Sequence, residues 1–354
     1  MMLDKNQNQH VNQQGTAIQA GGSVSVQVTN IGLTRAETKE IFNELFELNY
    51  YKLMGVAHAT AKQRGEEVTE KFLSKLQDEN PEGLKQYGDP DFQDALFTVQ
   101  KEYAKAGDKD LGDILVDLLV DRSKQENRNI LQIVLNECIH TAPKLTNDHL
   151  TILALIFFFR LAKSTTASNH QNLALHLSRH IQSFANNVVT TNSSFQHLVF
   201  TGCGSISLGQ ITLEDIFQRV YPGLFNNGFD PVRFDEVGIS AEDRSRFFRT
   251  CLNDPKKFQT NVIDMEQLES QFTNNAVSEE NRKKITTLYN EGLMNVAETR
   301  AKVIEFSPFM EKMFTLWSAS SMKNFELSSV GIAIGHANIK RLAGEFSNLS
   351  IWIN

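Results

Sequence analysis

The segment from Gly15 to Ile31 constrains the fold more than any other, because it reads as a strand pair ahead of a sequence that otherwise reads as helices. Val24, Val26 and Val28 alternate with Ser25 and Gln27, which gives a strand one apolar face. Gly21 and Gly22 supply a two-residue turn, since both central positions can take positive φ. A lone hairpin is marginal in water. Its apolar face, Ile18 included, therefore needs cover from the helical body or from the same hairpin of a sister chain. The second arrangement is the expected one, and it makes the protein a homo-oligomer.

The rest of the chain follows helical spacing. Residues 1–14 are a run rich in Asn and Gln that cannot bury enough apolar surface to offset its ordering entropy, so disorder is expected there. Thr34 and Glu37 form a capping box. Ile41, Leu45, Leu48, Leu53, Val56, Val68, Phe72 and Leu76 then predict one long helix over 34–77, weakest near Gly65. Such a helix lies across its own domain or packs on copies of itself, with Leu45 and Leu48 in the seam. Asn80-Pro81-Glu82-Gly83 ends it, and Asp89-Pro90 starts the next. Amphipathic helices are predicted at 90–106, 109–123, 126–140, 146–164 and 169–187, and, after a change of texture near 188, at 241–252, 264–273, 279–293, 296–305 and 308–320. A short strand at 325–328 precedes a small-residue helix in which Gly331 and Gly335 permit close packing. Leu349–Ile353 alternates as a terminal strand that could pair with 325–328. The predicted fold is mainly α: a helical body with an N-terminal β-hairpin and a minor β element at the C-terminus. Its predicted parts are 1–14, the hairpin 15–31, the long helix 32–78, a helical domain 79–187 and a second one 188–354.

Composition removes several functions. The net charge of −7 argues against a general binder of phosphate backbones, so nucleic acid is not favoured as a partner. The three cysteines, Cys138, Cys203 and Cys251, lack CxxC spacing, which argues against a disulfide framework or a cysteine zinc site and suits a reducing cytoplasm. No apolar run follows Met1, so no signal peptide is expected. The longest apolar stretch, Leu150–Phe159, is too short for a bilayer and suits a core helix, so no membrane partner is expected. No cofactor is implied.

Some constellations could carry chemistry. Asp110, Asp113, Asp117 and Asp121 share one helical face, opposite Leu111, Ile114, Leu115, Leu118 and Leu119. Clustered carboxylate oxygens suit a hard divalent cation, but a row one turn apart is more simply a solvated helix face. His176 and His180 stand one turn apart, a zinc-compatible spacing, with His170 a third candidate but no HExxH signature. Cys138 and His140 point to different sides of a helix. Gly202-Cys203-Gly204-Ser205 could hold a nucleophilic Cys203 or Ser205, or cradle a phosphate, yet it is neither a Walker loop nor a Gly-x-Ser-x-Gly elbow. Arg244, Arg246, Arg249, Lys256 and Lys257 form a modest basic cluster beside Phe247 and Phe248, which read as core.

Ile18-Gln-Ala-Gly-Gly-Ser-Val24, Thr201-Gly-Cys-Gly-Ser-Ile-Ser207, Tyr221-Pro-Gly-Leu-Phe225, Ser329-Val-Gly-Ile-Ala-Ile-Gly-His-Ala-Asn338 and Leu349-Ser-Ile-Trp-Ile353 resemble a family of uncharacterised bacterial proteins. Similar Gln-Ala-Gly-Gly hairpins precede effector or sensor modules in bacterial anti-phage proteins, so the resemblance implies a defence or stress setting. No activity comes with it. The expected function is a non-enzymatic, self-assembling cytoplasmic protein that recognises a partner, such as the product of a neighbouring gene. The alternative is a metal-dependent hydrolase or nuclease-like effector, and a third option is a sensor of a phage component or nucleotide.

Overall fold

The computed structural model describes residues 34–49, 55–185, 188–344 and 346–354, and over these the chain is mainly helical. The predicted hairpin at 15–31, with Ile18, Val24, Val26 and Val28, and the polar run at 1–14 lie outside the described residues. The N-terminal helices are α1 (Arg35–Asn49), α2 (Val56–Glu79), α3 (Pro90–Ala106), α4 (Lys109–Ser123), α5 (Ile130–Thr141), α6 (Asn147–Leu161), α7 (His170–Ala185) and α8 (Asn192–Phe200). They are followed by β1 (Gly204–Ile206), α9 (Leu213–Val220), α10 (Arg233–Val237), α11 (Ala241–Phe247), β2 (Phe248–Thr250) and β3 (Phe258–Thr260). The chain closes with α12 (Met265–Asn274), α13 (Glu279–Asn290), α14 (Val296–Phe306), α15 (Met310–Ala319), β4 (Phe325–Leu327) and α16 (Ser329–Ala343).

Capping chemistry sets many of the helix starts. Glu37 accepts from the Thr34 backbone N–H at 2.8 Å while Thr34 accepts from that of Glu37 at 3.3 Å. Asp89, with Pro90 at the first helical position, caps α3; Thr146, Thr212, Ser240 and Ser278 cap α6, α9, α11 and α13. Each removes an orphan donor from a helix end.

Three expectations are corrected. The long helix at 34–77 is two helices: α1 ends at Asn49, and α2 runs back along it from Val56. Arg35 at the start of α1 reaches Glu70 and Gln77 near the end of α2, and Glu47 near the end of α1 reaches Lys62 near its start. Gly65 is the crossing point, because a Cβ there would lie 2.7 Å from the Phe46 ring. The helix expected over 241–252 stops at Phe247; Phe248–Thr250 pairs antiparallel with Phe258–Thr260 across the Asp254-Pro255 turn. Leu349–Ile351 is a 3-10 turn and not a strand, and the strand at 325–327 pairs with β1, Ile206 opposite Phe325. Leu349 and Ile353 are buried while Ile351 is exposed, so the tail is anchored at a four-residue spacing that the alternating apolar pattern also satisfies.

A single apolar cluster runs from Phe42 to Ile353, across residue 188. A second, containing Phe234, Phe247, Phe272 and Ile285, spans 229–289. The change of texture at 188 therefore does not mark the division between cores. Helix α16 lies within the main cluster and packs on α6, α4, α5 and α7. Its small residues make this approach feasible: a Cβ on Gly331 would collide with the Cys203 carbonyl oxygen, and one on Gly335 would lie 2.7 Å from that of Leu153. No helix among the described residues is long and apolar enough to cross a membrane.

Candidate functional site

The aspartate row on α4 is a set of four chemical groups that the sequence singles out. Asp117 and Asp121 are largely buried while Asp110 and Asp113 are about half in solvent, and each of the four faces a cation. Helices α2 and α4 run in the same direction, so that columns of residues one turn apart come into register. Lys71 donates to Asp113 at 2.9 Å, and Lys75 pairs with Asp117, whose side chain is 1% exposed. From α16, Arg341 donates to Asp110 at 2.7 Å, and Lys340 lies 3.8 Å from Asp121. Lys124 donates to Asp121 at 2.7 Å and to Glu79 of α2 at 3.2 Å; Lys340 reaches Glu79 at 2.7 Å. Burial raises the Asp117 carboxyl above its usual range, and Lys75 opposes that rise. The row thus binds three helices together. Its sequence signal was available: Lys71, Lys75 and Glu79 repeat at the four-residue step of Asp113, Asp117 and Asp121. Among the described residues, no group of three or more His, Cys, Asp or Glu side chains is gathered to hold a metal.

The histidines are packed among aromatic rings. The rings of His176 and His180 lie 4.5 Å apart, and both stack beside Phe158, at 5.0 and 5.7 Å. Nδ1 of His180 is 2.8 Å from the His176 carbonyl oxygen. Burial pushes His176 down to about 4. His170 does not join them: its Nε2 is 2.8 Å from the Leu224 carbonyl oxygen, and its ring stacks on Phe306.

The Gly202–Ser205 loop is a clasp for α16. The Ser328 backbone N–H donates to the Cys203 carbonyl at 3.0 Å, and the Ser328 hydroxyl donates to the Gly202 carbonyl at 2.6 Å. Gly202 needs its flexibility, with φ +75°. Cys203 is buried, and burial pushes its thiol up, away from the reactive thiolate. Cys138 is also buried, and its thiol is pushed well up for the same reason. Ser205 is exposed on β1 opposite Glu326. In the basic cluster, Arg244 pairs with Asp235, Arg246 with Glu242 and Lys257 with Asp254, and Lys256 is exposed. Arg249 is partly buried, while Phe247 and Phe248 belong to the second core.

Sequence reading missed a cleft of about 520 Å³ whose Asp89, Asp91 and Asn136 are held from behind by Arg122. Arg122 is on α4 and fully buried. Its guanidinium donates to Asp91 at 2.6 Å, Asp89 at 3.1 Å and Asn136 at 3.0 Å, and lies over the Phe92 ring. Hydrogen bonds from Arg122, then Asn136, hold the Asp91 carboxyl below its usual range. Asp89, Asp91, Glu126 and Glu137 line the cleft along with Arg128 and His140, and no Ser, Thr, Cys or Lys does. This lining can hold a polar or cationic group but offers no activated nucleophile. The α3 cap gave a partial signal, since Asp89 both caps that helix and pairs with Arg122.

A protein family described only as ":-like" matches residues 32–353. Neither a curated protein nor a solved structure matches the chain.

Proposed function

We propose, from the premise that the chain belongs to this uncharacterised ":-like" family, that it is a non-enzymatic bacterial protein of the cytoplasm that assembles through residues 15–31. In this reading the hairpins of sister chains cover one another's valines, and the helical body recognises a protein partner in anti-phage or stress defence. The observation that carries the non-enzymatic part is the engagement of the chemical groups. The aspartates of α4 face lysines and arginine, and Cys203 is buried beneath the α16 clasp. Support for assembly comes from the alternating valines, which precede the family-matched span, and from apolar side chains near the end of α1 and the start of α2. There Leu48 is 71% exposed and Val56 84% exposed, whereas Leu45 is half-buried. Residue 35 and Leu48 stand about 20 Å apart along α1. The acid-lined cleft at Arg122 suits a basic side chain of the partner.

Light scattering on the full chain and on a chain lacking residues 1–31 tests the assembly. The expected result is a lower mass after deletion, and a similar drop for Val26→Asp, which puts a charge on the apolar face. An unchanged mass in both would overturn the reading.

A further inference from the structure

A second groove, of about 290 Å³, opens where α6, α9, β4 and α16 converge. Its walls are apolar: Ile156, Leu161, Ile211, Leu327 and Ile332. Two arginines enter it, Arg160 from α6 and Arg219 from α9, with Glu326 of β4 the one acid in the lining. Arg160 is partly buried and gives one N–H to the Phe325 carbonyl; among the described residues the rest of its donor fork has no partner. Among the described residues, neither Arg160, Arg219 nor Glu326 makes a salt bridge. Burial presses hardest against the Arg160 charge and Arg219 adds to it, while Glu326 opposes both. The groove therefore carries a local excess of positive charge on a chain whose net charge is −7.

We propose that this groove binds an aliphatic carboxylate, its carboxylate held by Arg160 and Arg219 and its hydrocarbon chain laid along Ile156, Leu161, Ile211 and Ile332. A guanidinium fork matches a carboxylate with two parallel hydrogen bonds. The apolar walls favour a ligand with a hydrocarbon body over a bare anion. The groove is held rigidly by distant parts of the chain. Ile211 donates its N–H to the Lys323 carbonyl at 2.9 Å and accepts from Trp317 Nε1 at 2.8 Å, while β4 is paired to β1. This site is independent of the assembly proposed for residues 15–31, which is read by mass and not by ligand binding.

Calorimetric titration of the full chain with octanoate, with octanol and acetate as comparison probes, tests it. Saturable binding of about one octanoate per chain is expected, with octanol and acetate each at least roughly tenfold weaker. Arg219→Gln removes an exposed side chain without disturbing the core, and should weaken octanoate about tenfold. Glu326→Gln should strengthen it. Absence of saturable octanoate binding, equal binding of octanol, or unchanged affinity in Arg219→Gln would each overturn the proposal.

Discussion

The aspartate row of α4 and the arginine groove beside α16 differ in what opposes their charge. Along α4, Asp110, Asp113, Asp117 and Asp121 meet Arg341, Lys71, Lys75, Lys124 and Lys340. In the groove, Arg160 and Arg219 share a single acid, Glu326. Both sets consist of like-charged side chains with apolar residues beside them. What separates them is compensation from remote segments, since α2 and α16 bring cations to α4 and, among the described residues, none brings a second carboxylate to the groove. Charge already matched within the fold holds helices together. Charge left over is available to a ligand.

The strongest way to break this contrast is to move α16, which carries Lys340 and Arg341 to the row. Gly331→Ala sets a methyl group against the Cys203 carbonyl, and neither backbone can yield without shifting the helix. A loss of about 1–3 kcal/mol is expected in urea unfolding. An unchanged midpoint would mean that α16 is not locked where its partners need it.

A smaller effect separates burial from charge pairing. His176 is held neutral, at about 4, chiefly by desolvation. In the unfolded chain an imidazole titrates near ~6.5, so the unfolded state binds more protons between those values. The stability contributed by the neutral ring is therefore complete above ~6.5 and is lost as pH falls towards about 4. The thermal midpoint should drop across this window by several degrees more in the native chain than in His176→Leu. Parallel curves would place His176 in water. The smallest effect is expected at the exposed end of the row: Asp110→Ala should cost under about 1 kcal/mol, because Asp110 is half in solvent. A larger loss would show that the row acts as one unit.

Much of this fold was legible in local chemistry. Thr34 with Glu37, Asp89-Pro90 and the start expected at 146 each announce a helix, and the helices begin there. The small residues of α16 announced close packing, and Gly331 and Gly335 show what they approach. What local chemistry could not show was pairing over distance. The apolar spacing from Ile41 to Leu76 continues with little change through the reversal between α1 and α2. The position of Phe46 over Gly65, with Arg35 reaching Glu70 and Glu47 reaching Lys62, reveals that two helices face each other. Leu349, Ile351 and Ile353 fit a strand by alternation and a helical turn by their outer pair, and the strand that pairs with β4 is β1. Asp110, Asp113 and Asp117 looked solvated because their cations lie roughly forty residues earlier or more than two hundred later in the chain; Asp121 alone also has a local one, Lys124. Arg122 was hidden for the same reason: Asp89, Asp91 and Asn136 converge on it from α5 and from the start of α3.

The central claim is that the α4 carboxylates are structural partners of lysines and of Arg341. A double-mutant cycle on Asp117 and Lys75, read by urea unfolding, tests this most directly. Asp117→Ala is expected to cost about 2 kcal/mol, with Lys75→Ala and the double variant revealing a favourable coupling of about 1 kcal/mol or more. A variant Asp117→Ala that unfolds at the same or higher urea concentration, with no coupling to Lys75, would contradict the account, because that is how a carboxylate kept under strain for function behaves.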